Sequence, residues 1–203
     1  FAQVASYYSG VNFVIRSTVP VGFTRRMVGE YGLKNLVHSP EFLTARCATV
    51  DAQIPSRNII GWPIPDGVNC LESLATLYQD RWPHVPLLAM KSDESEAVKL
   101  IQNAFFATKV AFWNEVHAFC SASKLDWEKV RSAILADGRI HPSHTQVPGP
   151  DGQFGFGGTC LPKDLASLTW QMYLISHGAT QPGFPFVMEA AYRRNEIDRG
   201  RKI

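Results

Sequence analysis

The chain has 203 residues, 45% of them hydrophobic and 19% charged, and a formal net charge of +2 at pH 7. Those proportions are those of a folded globular protein and exclude a disordered or fibrous chain. Near-balanced, scattered charge excludes an electrostatic nucleic-acid binder, and no apolar run approaches the roughly 20 residues that span a bilayer, so neither nucleic acid nor membrane is an expected partner.

The first residues, FAQVASYYSGVNFVIRS, lack a basic stretch followed by an unbroken apolar one and do not read as a secretory signal. The chain opens on Phe1 rather than Met, as a portion of a longer protein would. Val11 to Ser17 is a β-branched run that reads as a buried strand, leading into the loop Thr18-Val19-Pro20-Val21-Gly22. A helix is expected from Thr24 to Tyr31, then a strand over Leu36–His38, the loop Ser39-Pro40-Glu41 and a strand over Asn58–Trp62 closed by Pro63. A helix over Glu72–Arg81 and a strand over Val85–Met90 complete an alternation that predicts α/β architecture with a largely parallel sheet.

From Asp93 the period changes. Glu94, Ala97, Val98, Ile101, Phe105, Val110, Trp113, Val116 and Phe119 keep helical spacing over about 30 residues, which predicts one long helix. Asp126 caps a second helix running to Leu135, Asp164 opens a third to Ser176, and Phe186 opens a fourth to the chain end. Between them Ile140–Gly158 is a loop rich in Pro, Gly, His and Ser, long enough to suggest function. The expected organisation is therefore an α/β part over residues 1–90, the end of a Rossmann-like parallel sheet, followed by an all-α part over 91–203.

Cys47, Cys70, Cys120 and Cys160 lie far apart with no CxxC pair, which argues against a zinc site or a disulfide framework and for a reducing cytoplasm. The six histidines show no metal-like spacing either. The densest chemical signal is the run from Phe154 to Asp164, FGFGGTCLPKD. Glycines let backbone approach a ligand closely, and a thiol just before a helix start is favoured as thiolate by the helix dipole and by Lys163. The plain alternative is an inert buried Cys beside a Gly turn.

This run resembles the catalytic-cysteine motif of the UDP-glucose/GDP-mannose dehydrogenase family, GFGGSC followed by Phe or Leu, Pro and Lys-Asp, with Thr159 in place of Ser. Further segments resemble that family in its order: Ser17–Gly22 (STVPVG), Ser39–Leu43 (SPEFL), Pro55–Gly61 (PSRNIIG), Lys99–Phe105 with Asn114-Glu115, Asp137–Ile140 (DGRI), and Glu189–Asn195. The resemblance covers nearly the whole chain. It implies oxidation of a nucleotide-sugar C6 alcohol to the uronic acid with two NAD+, through an aldehyde and a Cys160 thioester.

The chemistry asks for a base for the hydroxyl proton and fixed donors for an oxyanion. Lys99 and Asn103, four apart on one helix face, fit the second need, although a solvated Lys and a surface Asn are the plain alternative. The resemblance gives Glu41, Thr18 and Asp164 the hydrolytic water, while Asp164 can equally serve the helix start. It places Phe42, Leu43, Phe154 and Gly157 at the sugar, Arg139 at the substrate of a neighbouring subunit, and Thr18, Glu41 and Lys163 towards NAD. An exposed salt bridge is Arg139's ordinary fate, and core packing would explain Phe42 and Leu43 equally well.

Four departures stand out. No GxGxxG loop with its ribose-binding acid is present, and a C-terminal nucleotide-holding domain is missing, so weak NAD+ binding and poor turnover are expected of the isolated chain. Ala45-Arg46 replaces the usual Glu-Gly pair, and Gln146–Gln153 lengthens the loop before the glycines. A homodimer through the helical part is expected. The rivals are a catalytically inactive, truncated dimerisation or assembly module of the same family, and a thiol hydrolase, for which no His is placed as base. Which nucleotide sugar is used stays open.

Overall fold

The computed structural model describes residues 10–44, 46–176 and 184–201; the first nine residues, Ala45 and His177 fall outside them. Two compact units divide the chain between Leu100 and Ile101. The first contains β1 (Phe13–Ile15), α1 (Phe23–Tyr31), β2 (Leu36–His38), α2 (Ala48–Gln53), β3 (Asn58–Trp62), α3 (Val68–Arg81) and β4 (Leu87–Lys91). The long helix α4 (Ser92–Ala122) begins in it and continues into the second unit, which adds α5 (Trp127–Leu135), α6 (Leu161–Ser176) and α7 (Phe186–Asp198).

The strands form one sheet in the order β1-β2-β3-β4. Alternation along β1 and β2 sends Ile15 and Leu36 to one face, where Met27, Val28 and Leu33 cover them. Val14 and Val37 point to the other, onto Cys70, Leu74 and Tyr78 of α3. Covered on both faces, β1 and β2 can be short and mostly apolar.

The expected parallel pairing holds for β1 with β2 and β3 with β4, while β2 and β3 meet antiparallel, His38 opposite Gly61. A parallel return needs a crossover of a dozen or more residues, usually a full helix. The β2–β3 connection holds only the six-residue α2, none of it buried. That helix has no apolar stripe to announce it in the sequence.

Helix ends follow local chemistry. Gly32, at φ 65, closes α1 with its N–H on Val28 O at 2.8 Å. The Asp126 side chain caps α5 by accepting from Lys129 N. α6 starts at Leu161, three residues before the expected Asp164, because Pro162 suits a first helical turn. α7 stops at Asp198 rather than running to the chain end. The second unit's core centres on Trp113 of α4, 1% exposed and edge-on to Trp127 at 5.8 Å.

Candidate active site

In the first unit, the opening turns of α4 tie down two loops and two strands. Positions 92, 95, 96 and 99 lie on one helical face. At the first of these, β3 comes so close that a Cβ on Gly61 would stand 2.6 Å from Ser95 Cβ and 2.9 Å from Ser92 Cα. Only glycine fits.

Ser95 Oγ donates to Ser92 O at 3.1 Å, so at its 2.6 Å contact with His38 the imidazole Nδ1–H is the donor. His38 ends β2 and is fully buried. Burial pushes its pKa down to about 4, with Arg16 adding repulsion, so the ring is neutral.

Glu96 serves the loop Thr18–Gly22. Gly22, at φ 88, opens α1 without a side chain that could cap it. Glu96 Oε2 accepts from Gly22 N at 2.6 Å, and Oε1 accepts from Thr24 N at 2.8 Å and Thr24 Oγ1 at 2.6 Å. The carboxylate is fully buried, and desolvation raises its pKa against the pull of these donors. Thr18 sits half-buried at the start of this loop.

Lys99 serves the loop Ser39–Leu43. At 6% exposure its ammonium must be paired. It donates to Glu41 O at 2.6 Å, stands 3.6 Å from Glu41 Oε1 and lies 5.3 Å from the centre of the Phe42 ring. Arg57 covers the same ring at 4.1 Å. Glu41 Oε2 accepts from Leu43 N at 2.7 Å, which folds the loop on itself. Beside it opens a cleft of about 390 Å³ whose lining includes Arg16, Glu41, Phe42, Leu43, Arg57 and Trp82. Guanidinium groups beside aromatic faces suit an anionic or ring-bearing ligand.

In the second unit the glycine run leads to Cys160, an exposed thiol immediately before α6. Thr159 Oγ1 lies 3.8 Å from its sulfur. Asp164 N donates to Cys160 O at 2.9 Å, closing the first helical turn on the cysteine. The Asp164 side chain, 1% exposed, turns away from the helix amides. Its Oδ2 accepts from Asn103 Nδ2 at 2.5 Å, and its Oδ1 has the Lys163 ammonium at 2.7 Å, an ion pair without hydrogen-bond alignment. Asn114, three turns beyond Asn103 on α4, accepts from Gly155 N at 2.9 Å, and Asn195 of α7 accepts from Phe156 N at 2.6 Å. One face of α4 thus holds both ends of the motif.

The structure therefore brings Glu41, Phe42 and Lys99 together in the first unit, and Asn103, Asp164, Lys163 and Cys160 in the second. Arg139 stands apart: its side chain is 87% exposed and forms a two-pronged pair with Asp137 next door. Phe154 is exposed with its ring 5.4 Å from His117, and Gly157 lies against Arg199. Sequence reasoning singled out none of Glu96, Ser95, His38 or Arg199, and Asn114 only as part of the Asn114-Glu115 segment. Glu96 alone carried a signal, an acid one turn before Lys99 on the same face.

All four cysteines are free, with Cys70 and Cys120 buried and Cys47 exposed like Cys160. Burial raises the Cys70 thiol to about 11. Among the described residues no helix is long and apolar enough to cross a membrane, and no three His, Cys, Asp or Glu side chains are grouped to hold a metal.

Residues 93–195 match the central domain of the UDP-glucose/GDP-mannose dehydrogenase family. The chain is 35% identical over 195 residues to a UDP-glucose 6-dehydrogenase of Campylobacter jejuni, covering 96% of this chain and 46% of that protein. It is 31% identical over 168 residues to a UDP-glucose 6-dehydrogenase of Streptococcus pneumoniae, covering 80% and 41%. The chain thus spans under half the length of these relatives. Among solved structures, a UDP-glucose dehydrogenase of Pyrobaculum islandicum superposes with a TM-score of 0.72 at 29% identity, over 97% of this chain and 44% of that one.

Proposed function

Because the chain belongs to the UDP-glucose/GDP-mannose dehydrogenase family, we propose that it carries the thiol chemistry of a nucleotide-sugar 6-dehydrogenase, oxidising the C6 alcohol to the uronic acid through a thioester on Cys160. The observation that carries this reading is the placement of the thiol. Cys160 is exposed at the start of α6, and one turn behind it Asp164 is buried and fixed by Asn103.

The Cys160 thiolate attacks the sugar aldehyde, forming a carbon–sulfur bond and a tetrahedral oxyanion. Loss of hydride from that carbon leaves the thioester. Water then adds to the thioester, a carboxylate takes its proton, and the sulfur leaves as thiolate with the uronate released. Asn103 has two amide N–H groups, one of them on Asp164, so the other is available to an oxyanion. Lys99 likewise keeps donors beyond the one on Glu41 O. Glu41 and Asp164 are the carboxylates for the water, and Thr18 joins them in that role. Phe42, Leu43, Phe154 and Gly157 contact the sugar, and Arg139, whose guanidinium is exposed, reaches the substrate of a second subunit.

NAD+ is the cofactor this reading implies, and Thr18, Glu41 and Lys163 would face it; bound there, it would supply the hydride acceptor for both oxidations. Among the described residues no GxGxxG loop is present to cradle its pyrophosphate, and the amides opening α1 are already taken by Glu96.

A homodimer is supported by α4, where Ile101, Phe105, Phe112 and Phe119 are all more than half exposed.

The test is alkylation by iodoacetamide at neutral pH, followed by peptide mass spectrometry. Cys160 is expected to react ahead of Cys47, the other exposed thiol. Equal rates at the two would refute a nucleophilic role.

A further inference from the structure

The fit between α7 and the glycine run is closer than a loop needs for mere packing. A Cβ on Gly155, at φ 70, would stand 2.5 Å from Asn195 Oδ1 and 3.1 Å from Asp198 Cβ. A Cβ on Gly157 would stand 2.6 Å from Arg199 Nη2 and 2.9 Å from Arg199 Cζ. Gly155, at positive φ and against the short Asn195 side chain, is thus required by the end of α7 apart from any ligand, while Gly157 lies directly against the Arg199 guanidinium.

The polar contacts run the same way. Asn195, 1% exposed, receives the Phe156 amide at 2.6 Å. The Arg199 side chain, 9% exposed, is wrapped by the preceding loop: Nη1 donates to Gln153 Oε1 at 2.8 Å, and Nη2 donates to Asp151 Oδ2 at 2.8 Å and to Gly155 O at 3.3 Å. Its Nε is buried with no hydrogen bond, a cost that the loop contacts must offset. Arg199 N in turn donates to Asn195 O at 3.0 Å, which seats the two residues one turn apart.

We propose that Asn195 and Arg199 are positioning residues that set the path of Gly155–Gly158 and thereby the direction in which the Cys160 thiol is presented. The inference rests on the nucleophilic reading of Cys160. Neither side chain takes part in bond making. Asn195 fixes one amide of the run, Arg199 fixes the carbonyl beside it, and Gly157 passes beneath the guanidinium.

The experiment uses the 203-residue chain and four variants, Asn195→Leu, Asn195→Asp, Arg199→Ala and Arg199→Lys. Two rates are read in each: deuterium exchange at the Gly155 and Phe156 amides, and carbamidomethylation of Cys160 relative to Cys47 in the same molecule. A lost buried hydrogen bond changes a conformer population about five-fold, so Asn195→Leu and Arg199→Ala are expected to lower the Cys160 to Cys47 ratio by about that factor. Both variants also speed exchange at Phe156. Asn195→Asp, which keeps an acceptor, restores the ratio to within about two-fold of the original. Should Asn195→Leu fail to fold, Arg199→Ala decides, since Arg199 lies beyond the last residue of α7. A Cys160 preference in the unaltered chain that survives both variants undiminished overturns the positioning role alone. An unaltered chain with no such preference removes the nucleophilic reading, and the positioning role with it.

Discussion

Acidification tests the buried His38 quantitatively. Its folded pKa of about 4 lies below the ordinary 6.5, so the unfolded chain binds the proton first. The contribution to stability is complete above pH 6.5 and is lost as pH falls towards 4. The full shift is worth about 3 kcal/mol, of which about 2 kcal/mol is lost between pH 7 and pH 4.5. Glu96, with its pKa raised, acts in the opposite sense, losing stability as pH rises, so the His38 share must be isolated by difference. His38→Leu does this. Leucine has similar volume, and Ser95 keeps its bond to Ser92 O, so the variant is expected within about 1 kcal/mol of the parent at pH 7. Urea unfolding of both chains at pH 7 and pH 4.5 gives the difference. A parent that loses no more stability than His38→Leu on acidification refutes the neutral buried imidazole.

Glu96→Ala strands the amides of Gly22 and Thr24, and urea unfolding is expected to show a loss of about 2–4 kcal/mol; a loss below about 1 would contradict the capping role. Gly61→Ala forces β3 off α4 and is expected to cost at least about 2 kcal/mol, lowering the melting temperature, whereas an unchanged melting temperature would show that the two can part cheaply. Charged substitution of Phe105, Phe112 and Phe119 together is expected to leave the fold intact by circular dichroism and to turn a dimer into a monomer in sedimentation velocity. A parent chain that already sediments as a monomer would contradict dimerisation through this face.

Much of the fold was legible because it rests on local periodicity. Asn58–Trp62 and Leu36–His38 stand where their apolar runs placed them, and the long helix from Ser92 follows the spacing of its apolar residues. The antiparallel meeting of β2 and β3 was not legible, because strand direction depends on whether the intervening segment crosses the sheet, and α2 carries no pattern of its own. At the candidate site, residue types and order pointed to Cys160, Lys99, Asn103 and Asp164. What holds them could not be read from neighbours in sequence: Glu96 bonds 74 residues away and Arg199 48 residues away. Asn and Arg occur in too many roles for such pairings to be guessed. The glycines at 155 and 157 could be read as close approach to a ligand, and the structure shows Asn195 and Arg199 against them.

The most direct test of the central claim is whether this thiol attacks the sugar aldehyde. The chain is incubated with the C6 aldehyde of UDP-glucose, and carbamidomethylation of each cysteine is followed by peptide mass spectrometry. Reversible addition to Cys160 predicts that the aldehyde slows labelling there in proportion to its concentration and leaves Cys47 unaffected. Labelling of Cys160 at the same rate with and without the aldehyde would contradict the thioester chemistry proposed for this chain.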